Sequence, residues 1–202
     1  MIALIDYGAG NLTSVKKALT AIGADVLVPR APEELAEARG VIIPGVGHFG
    51  ATRALHGAWM EGILGVLGDG RPLLGICLGM QWLFEGSDEA PDCPGLGLLA
   101  GQCYRLRSDA ADGTIKVPHV GWNALSIRRP STIIESVPDG SQVYFTHSYV
   151  APVTDDAVAV SEHGETFAAV VEHGQVSGVQ FHPEKSGDAG AALLSNWLGM
   201  VR

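Results

Sequence analysis

The sequence lacks the features that mark exported, membrane-spanning or metal-binding proteins. Its cysteines are three, an odd number without framework spacing, which indicates reduced thiols. Neither a Cys-x-x-Cys nor a His-Glu-x-x-His motif occurs, so we expect no metal site. No basic segment precedes an apolar core at the N-terminus, and no apolar run reaches the roughly 20 residues that cross a membrane. We therefore expect a cytoplasmic protein.

Charged residues are also scarce, at 17% of the chain, and the formal net charge is −9 at pH 7. An acidic chain is repelled by phosphate groups, so we expect neither nonspecific nucleic-acid binding nor attachment to an anionic membrane. Hydrophobic residues make up 47% of the 202 positions, and 27 glycines indicate many tight turns. This length is sufficient for a substantial core, and we expect one domain over residues 1–202.

Residues 71–85 form the most informative stretch. The apolar run 73–76 is typical of a buried parallel strand, and a helical pattern with Met80, Leu83 and Phe84 as core positions follows it. Between them lies Gly75-Ile-Cys77-Leu-Gly79, the spacing of a Gly-x-Ser-x-Gly nucleophile elbow with cysteine at its centre. A helix N-terminus stabilises a thiolate. We interpret Cys77 as a nucleophile, the alternative being a buried structural thiol.

A base for this nucleophile is found near the other end of the chain. His182 and Glu184 follow a predicted strand and lie two residues apart, so they share one side of an extended chain. Pro183 favours extended geometry for the residue before it. A carboxylate can hold the imidazole in one tautomer, which leaves the second nitrogen free to face a thiol. The alternative is a surface ion pair.

Alternation of strands and helices in the first half predicts an α/β fold with a mostly parallel central sheet flanked by helices. Ligands of such sheets bind beyond the carboxyl ends of the strands. The predicted strands are 2–6, 26–28, 41–43 and 73–76, and the predicted helices are 12–22, 32–38 and a region ending near 67. From about residue 101, strands at 103–106, 143–146, 157–161, 168–172 and 176–181 predict an antiparallel or mixed region added to the sheet, before a closing helix at 191–201.

Two glycine-rich turns follow predicted strands. Residues 8–11 match a dinucleotide-binding loop only weakly, because Thr13 stands at the third glycine position, so we interpret them as a turn into a helix and expect no cofactor. Residues 44–47 could supply a backbone N–H group to an oxyanion, beside the N–H of Leu78 at the elbow. The alternative is that these glycines only let a loop turn sharply.

The segments 75–81 and 180–184 together closely resemble the class I (triad) glutamine amidotransferases. The motifs at 44–50, 118–123 and 147–149 look more narrowly like the glutaminase subunit of imidazole glycerol phosphate synthase, and the resemblance runs from residue 7 to residue 186. It implies that Cys77, His182 and Glu184 hydrolyse L-glutamine to glutamate and ammonia through a cysteinyl thioester.

The same resemblance implies a partner. Ammonia would pass to a cyclase subunit with a (β/α)₈ barrel, in a heterodimer that forms imidazole glycerol phosphate and aminoimidazole carboxamide ribonucleotide in histidine biosynthesis. Residues near that interface would be Asn11, Trp122 and Lys185. The alternatives are a solvated Lys185 and a Trp122 that fills the core.

The resemblance further implies the residues that serve glutamine. The oxyanion hole would be formed by Val46, Gly47 and Leu78, with the N–H of Val46 turned away until the partner's substrate binds. Gln81 lies one helical turn beyond Cys77, on the same face. The implied substrate-binding residues are Gln81, Glu89, His147, Ser148 and Tyr149. The alternative for Glu89 is a solvated loop carboxylate.

Two other functions remain open on the sequence alone. A stand-alone cysteine hydrolase of the same elbow type, such as a peptidase or γ-glutamyl hydrolase, would turn over without a partner. A catalytically silent partner-binding module would leave Cys77 unreactive towards a glutamine-like electrophile.

Overall fold

The computed structural model describes residues 1–107, 109–110 and 113–201, and within these ranges the largest sheet has eight strands. The strands in chain order are β1 (Ile2–Leu4), β2 (Val26–Leu27), β3 (Val41–Ile43), β4 (Leu73–Ile76), β5 (Gly86–Ser87), β6 (Gln102–Arg105), β7 (Asp109–Ala110), β8 (Gly113–Thr114), β9 (His119–Ala124), β10 (Ser126–Ile127), β11 (Gln142–His147), β12 (Tyr149–Val150), β13 (Ala157–Glu162), β14 (Thr166–His173) and β15 (Val176–Val179). The α-helices are α1 (Leu12–Ala21), α2 (Ala58–Gly68), α3 (Leu78–Trp82) and α4 (Gly187–Met200). Short 3₁₀ helices cover Pro32–Glu37, Phe49–Leu55, Thr132–Ile134 and Pro183–Lys185.

The central sheet has the strand order β10-β13-β14-β15-β4-β3-β1-β2. Neighbours from β15 to β2 are parallel, whereas β14, β13 and β10 extend the sheet in antiparallel fashion. The parallel register pairs Val179 of β15 with Ile76 of β4. The residues that follow these two strands therefore leave the sheet at the same edge, which is where parallel sheets bind ligands.

Both faces of the sheet are buried, which explains the continuous apolar runs of its central strands. Along β1, Ile2 and Leu4 join the core that contains α1 and α4, whereas Ala3 joins the core that contains α2. This alternation is the two-residue period of a strand with helices on both sides. The predicted α/β class is confirmed, with strands 41–43 and 73–76 predicted to the residue.

The sheet to which two strands of the second half belong was predicted wrongly. Strand β6 pairs with β5 and β12, and β11 pairs with β9, so neither predicted segment 103–106 nor 143–146 is added to the central sheet. Strand β9 was not predicted, because only one of its sides packs against protein and its sequence lacks a continuous apolar run. In the first half, the short helix predicted at 32–38 is found as a 3₁₀ helix over Pro32–Glu37. No helix in the described part of the chain is long and apolar enough to cross a membrane.

Candidate active site

Cys77 lies at a sharp turn between β4 and α3. Its backbone has φ 54° and ψ −108°, a conformation that residues with a side chain rarely adopt and that is often retained at functional sites. The turn is held by neighbouring strand β15, because the Cys77 N–H donates to the carbonyl of Val179 at 2.7 Å. The thiol therefore projects at the edge of the sheet where β4 and β15 both end.

The glycines on either side of Cys77 permit this turn. A Cβ atom at Gly79 would collide with the carbonyl oxygen of Ile43, the last residue of β3. A Cβ atom at Gly75 would lie 2.6 Å from the carbonyl oxygen of Gly79. Helix α3 can therefore begin immediately after the nucleophile position only with glycine at both places.

His182 and Glu184 form a buried pair directly after β15. The distance from His182 Nδ1 to Glu184 Oε1 is 2.9 Å, and the two side chains are 3% and 2% exposed. This burial excludes the surface ion pair that the sequence left open. The predicted extended geometry is found at His182, with φ −98° and ψ 97°. The prediction is wrong for the residues after it, because Pro183–Lys185 forms a 3₁₀ turn.

The protonation of His182 depends on both neighbours. Burial disfavours the charged ring, but the Cys77 thiol and the Glu184 carboxylate outweigh burial and raise the pKa of His182 to about 9. Nε2 of His182 is buried and makes no well-formed hydrogen bond with any described residue. The nitrogen not used by Glu184 is thus available to Cys77, which is close enough to affect the ring's charge.

Cys77 opens into a cavity of about 220 Å³, which we call the Cys77 cavity. Seven of the other residues predicted for oxyanion or glutamine binding line it, together with Pro118 and Thr146. Those seven are Gly47, Leu78, Gln81, Glu89, His147, Ser148 and Tyr149. Residues as far apart in the sequence as Gly47 and Tyr149 therefore line the same cavity as Cys77. In the described part of the chain, no group of three or more His, Cys, Asp or Glu side chains is arranged to hold a metal ion.

The side chain of Gln81 is buried in the wall of this cavity and is fixed by two hydrogen bonds. Its Nε2 donates to the carbonyl of Tyr149 at 2.8 Å and to Oε1 of Gln180 at 3.1 Å. Both amide hydrogens are thereby used, so the carbonyl oxygen of Gln81 is the group left to meet a ligand. Gln180 also contacts the sulfur, with Nε2 3.7 Å from Cys77 Sγ. It belongs to a motif quoted above, but the sequence did not single it out.

Glu89 is half-buried at the cavity wall and is therefore not a freely solvated carboxylate. Its Oε2 accepts a hydrogen bond of 2.6 Å from the N–H of Phe49. Phe49 begins the 3₁₀ helix that follows the glycine-rich turn 44–47. One carboxylate therefore touches both the cavity and the end of the predicted oxyanion turn.

The predicted oxyanion donors are not aligned in this structure. The N–H of Leu78 donates to the carbonyl of Gly45 at 3.3 Å, so that carbonyl occupies the donor. Because C=O and N–H of a trans peptide point in opposite directions, the N–H of Val46 points away from Leu78. Gly47 has φ 104° and lines the Cys77 cavity, whereas Val46 lines a smaller cavity together with His182 and Glu184.

His147 belongs to a chain of neutral rings behind the cavity. Its Nδ1 is 3.1 Å from the carbonyl of Tyr149, which can only accept, so Nδ1 carries the proton. Nε2 of His147 must then accept from Nδ1 of His119 at 3.2 Å. Burial, and then repulsion from a charged His119, lower the pKa of His147 to about 3. Burial, and then repulsion from a charged His163, lower the pKa of His119 to about 4. Two neutral rings thus support the wall formed by His147 and Tyr149.

The three predicted interface residues lie outside the lining of the Cys77 cavity. Asn11 caps helix α1 by accepting from the N–H of Ser14, and it lines the smaller cavity together with Lys185 and Val46. The Lys185 ammonium lies 5.6 Å from the centre of the Tyr144 ring, and Trp122 packs edge-on against the same ring. Trp122 is 57% exposed and is therefore not a core filler.

Sequence comparison identifies proteins similar to this chain along its whole length. The profile of the family described as glutamine amidotransferase class-I matches residues 3–200. The imidazole glycerol phosphate synthase subunit HisH of Bacillus cereus (strain B4264) is 46% identical over 206 residues, covering 100% of this chain and 95% of that protein. The subunit of the same name from Shouchella clausii (strain KSM-K16) is 47% identical over 205 residues, covering 100% of this chain and 99% of that protein.

Solved structures support the same fold at much lower sequence identity. A crystal structure of a glutamine amidotransferase superposes with a TM-score of 0.75 at 20% identity, covering 100% of this chain and 99% of that one. The structure of PurLQS from Thermotoga maritima gives a TM-score of 0.76 at 18% identity, covering 100% of this chain and 98% of that one. At these identities the similarity concerns the fold.

Proposed function

This chain belongs to the class I glutamine amidotransferase family, and we propose that it is the glutaminase subunit of an imidazole glycerol phosphate synthase in histidine biosynthesis. The observation that carries the proposal is the position of Cys77: it lies at a strained turn beside the buried His182–Glu184 pair, and it lines one cavity with seven of the other implied residues. The profile match over 3–200 supports a single domain.

The reaction proceeds by nucleophilic catalysis. The neutral form of His182, oriented by Glu184, accepts the Cys77 proton, and the thiolate forms a bond to the side-chain amide carbon of glutamine. The C–N bond then breaks as His182 returns the proton to the departing ammonia, which leaves a γ-glutamyl thioester on Cys77. Water, deprotonated by the same histidine, breaks the thioester and releases glutamate.

The amino-acid end of glutamine is held by groups of matching polarity. The free carbonyl oxygen of Gln81 and the carboxylate of Glu89 both accept hydrogen bonds, so they bind the α-ammonium group. Main-chain groups of residues 147–149 bind the α-carboxylate. This orientation directs the side-chain amide of glutamine towards Cys77.

The oxyanion hole forms by rotation of the Gly45–Val46 peptide. Rotation removes the Gly45 carbonyl from the N–H of Leu78 and brings the N–H of Val46 towards the sulfur, beside Gly47. Loss of one oxyanion donor costs roughly 10²–10³-fold in kcat, so the isolated chain turns over slowly. The hydrogen bond between Leu78 and Gly45 supports this resting state.

The partner is the cyclase subunit, and the two form a heterodimer in which this chain faces a (β/α)₈ barrel. The interface includes Asn11 and Lys185, which line the cavity that touches His182 and Glu184, and Trp122, which packs against the Tyr144 ring near Lys185. Ammonia released at Cys77 leaves on this side without entering bulk water, where protonation would remove its nucleophilicity.

The test is to measure glutaminase activity with and without the cyclase subunit and its nucleotide. We expect slow turnover by the chain alone, an increase of at least 10²-fold in the complete assembly, and no turnover by Cys77→Ala. Strong activity without the partner would favour a stand-alone hydrolase. Turnover retained by Cys77→Ala would refute the mechanism.

A further inference from the structure

We propose that Gln180 is a catalytic residue whose side-chain N–H group stabilises the Cys77 thiolate, and that Gln81 holds Gln180 in the orientation this requires. The proposal rests on the proposed nucleophile role of Cys77. It adds a donor on the sulfur that is distinct from His182 and from the oxyanion groups.

The orientation of Gln180 follows from its neighbours. An amide oxygen and nitrogen are assigned from the hydrogen-bond network, and here the network leaves one choice. The carbonyl of Tyr149 can only accept, so the Gln81 atom facing it at 2.8 Å is the nitrogen. That same nitrogen lies 3.1 Å from Gln180, which must present its oxygen there. The nitrogen of Gln180 is therefore the atom 3.7 Å from Cys77 Sγ.

The position of Gln180 gives this contact a chemical effect. The residue is 0% exposed, and its backbone N–H is bound to the carbonyl of Ala169 at 2.9 Å. The side chain of Gln180 is therefore shielded from water and starts from a fixed point at the end of β15. A hydrogen bond to an ionised acceptor is about twice as strong as one to a neutral acceptor. Gln180 thus favours the thiolate over the thiol.

The same two amides connect the substrate pocket to the nucleophile. Gln81 lines the cavity and its carbonyl oxygen takes part in neither of the hydrogen bonds to Tyr149 and Gln180, while its nitrogen holds Gln180. A ligand ammonium on the Gln81 oxygen polarises that amide and makes its N–H groups stronger donors. Stronger donation to the Gln180 oxygen in turn polarises the Gln180 N–H that faces sulfur. Substrate binding and thiolate stabilisation are therefore coupled through one chain of hydrogen bonds.

The test measures the reactivity of Cys77 apart from catalysis. Wild type, Gln180→Glu, Gln180→Met and the control Gln175→Glu are alkylated with iodoacetamide over a pH series, and mass spectrometry quantifies modification at Cys77 separately from Cys93 and Cys103. Gln180→Glu places a carboxylate oxygen against the sulfur, whereas Gln175 is exposed and receives the same change in charge. The other titratable groups around the sulfur and its cavity are unchanged in every variant; they are His182 with its partner Glu184, Tyr7, Glu89 and His147.

We expect the pH of half-maximal alkylation to rise by at least about one unit in Gln180→Glu, a tenfold loss of rate at neutral pH. Gln180→Met, which keeps the length but lacks the donor, shows a smaller rise, and Gln175→Glu shows none. With the cyclase subunit present, kcat falls at least tenfold in Gln180→Glu while KM changes less than about threefold.

Unchanged alkylation in Gln180→Met, with circular dichroism identical to wild type, would overturn the proposal even if Gln180→Glu failed to fold. Equal shifts in Gln180→Glu and Gln175→Glu would also overturn it, because only general charge would then be acting. If wild type shows no glutaminase activity with its partner while the alkylation shift remains, the assigned function fails and the role of Gln180 stands.

Discussion

Replacing Glu184 by glutamine should flatten the alkaline side of the protein's stability profile. The pKa of His182 is about 9 in the folded chain, against an ordinary value of 6.5 that applies when the chain is unfolded. Between these values the folded protein holds a proton that the unfolded chain has released. The resulting stabilisation is complete below pH 6.5 and is lost as the pH rises through about 9.

The size of the effect follows from the separation of the two values. At roughly 1.4 kcal/mol per pH unit, the protonated His182 contributes about 3.5 kcal/mol to the unfolding free energy below pH 6.5, and this contribution is absent above pH 9. The side chains of His182 and Glu184 are 3% and 2% exposed, so water does little to screen the pair. Cys77 is the larger source of the raised pKa and Glu184 the second, so we expect Glu184→Gln to lose up to about half of the pH dependence.

The assay is equilibrium urea unfolding of wild type and Glu184→Gln at intervals from about pH 6 to about pH 9.5. A matched control is Asp156→Asn, because Asp156 pairs with His173 at the same 2.9 Å distance while His173 is 67% exposed. Such exposed pairs contribute little, so the control should follow wild type. Burial raises the pKa of Cys103, which adds to the decline above about pH 8.5 equally in all three proteins. An unfolding free energy that declines equally in wild type and Glu184→Gln would refute the reasoning.

Three further outcomes are expected. Gly79→Ala should lower the free energy of unfolding, measured by urea titration, by about 1–3 kcal/mol, because its Cβ meets a backbone carbonyl of β3. The control is Gly65→Ala in α2, whose Cβ meets no atom within 4 Å. This control should be neutral or stabilising by up to about 1 kcal/mol. Trp122→Ala should leave the melting temperature of the isolated chain within about 2 °C but weaken cyclase binding at least tenfold by calorimetry, since the side chain is 57% exposed; unaltered affinity would contradict the interface assignment. Because the pKa values of His119 and His147 are lowered to about 4 and about 3, wild-type stability should fall as the pH drops below 6.5, and a flat acid limb in urea titrations would contradict the buried neutral pair.

The sequence predicted those parts of the fold in which burial leaves a simple pattern. Strands β3 and β4 are buried on both faces, so their apolar runs were unambiguous. Strand β9 is half-exposed and includes Gly121 and Trp122, a mixture without a clear period. Pairing of β9 with β11, and of β6 with β12, depends on long-range contacts that local patterns do not contain.

The candidate site was predictable as a set of residues and less so as a geometry. The glycines around Cys77 indicated a sharp turn, and the spacing of His182 and Glu184 indicated a pair. The pair is brought together by a 3₁₀ turn rather than by an extended chain. Gln180 lies two residues before His182, a spacing that could have identified it. The orientation of the Gly45–Val46 peptide has no signature in the sequence, because glycine permits both directions.

The hydrogen bond between Leu78 and the Gly45 carbonyl also bears on inhibitor discovery. An aldehyde analogue of glutamine forms a tetrahedral adduct whose charged oxygen competes with that carbonyl for a single donor. Screens on the lone subunit will therefore favour compounds that resemble glutamine itself. Compounds that mimic the tetrahedral intermediate will bind tightly only to the assembled synthase. The form of the protein used in a screen therefore decides which class of inhibitor is identified.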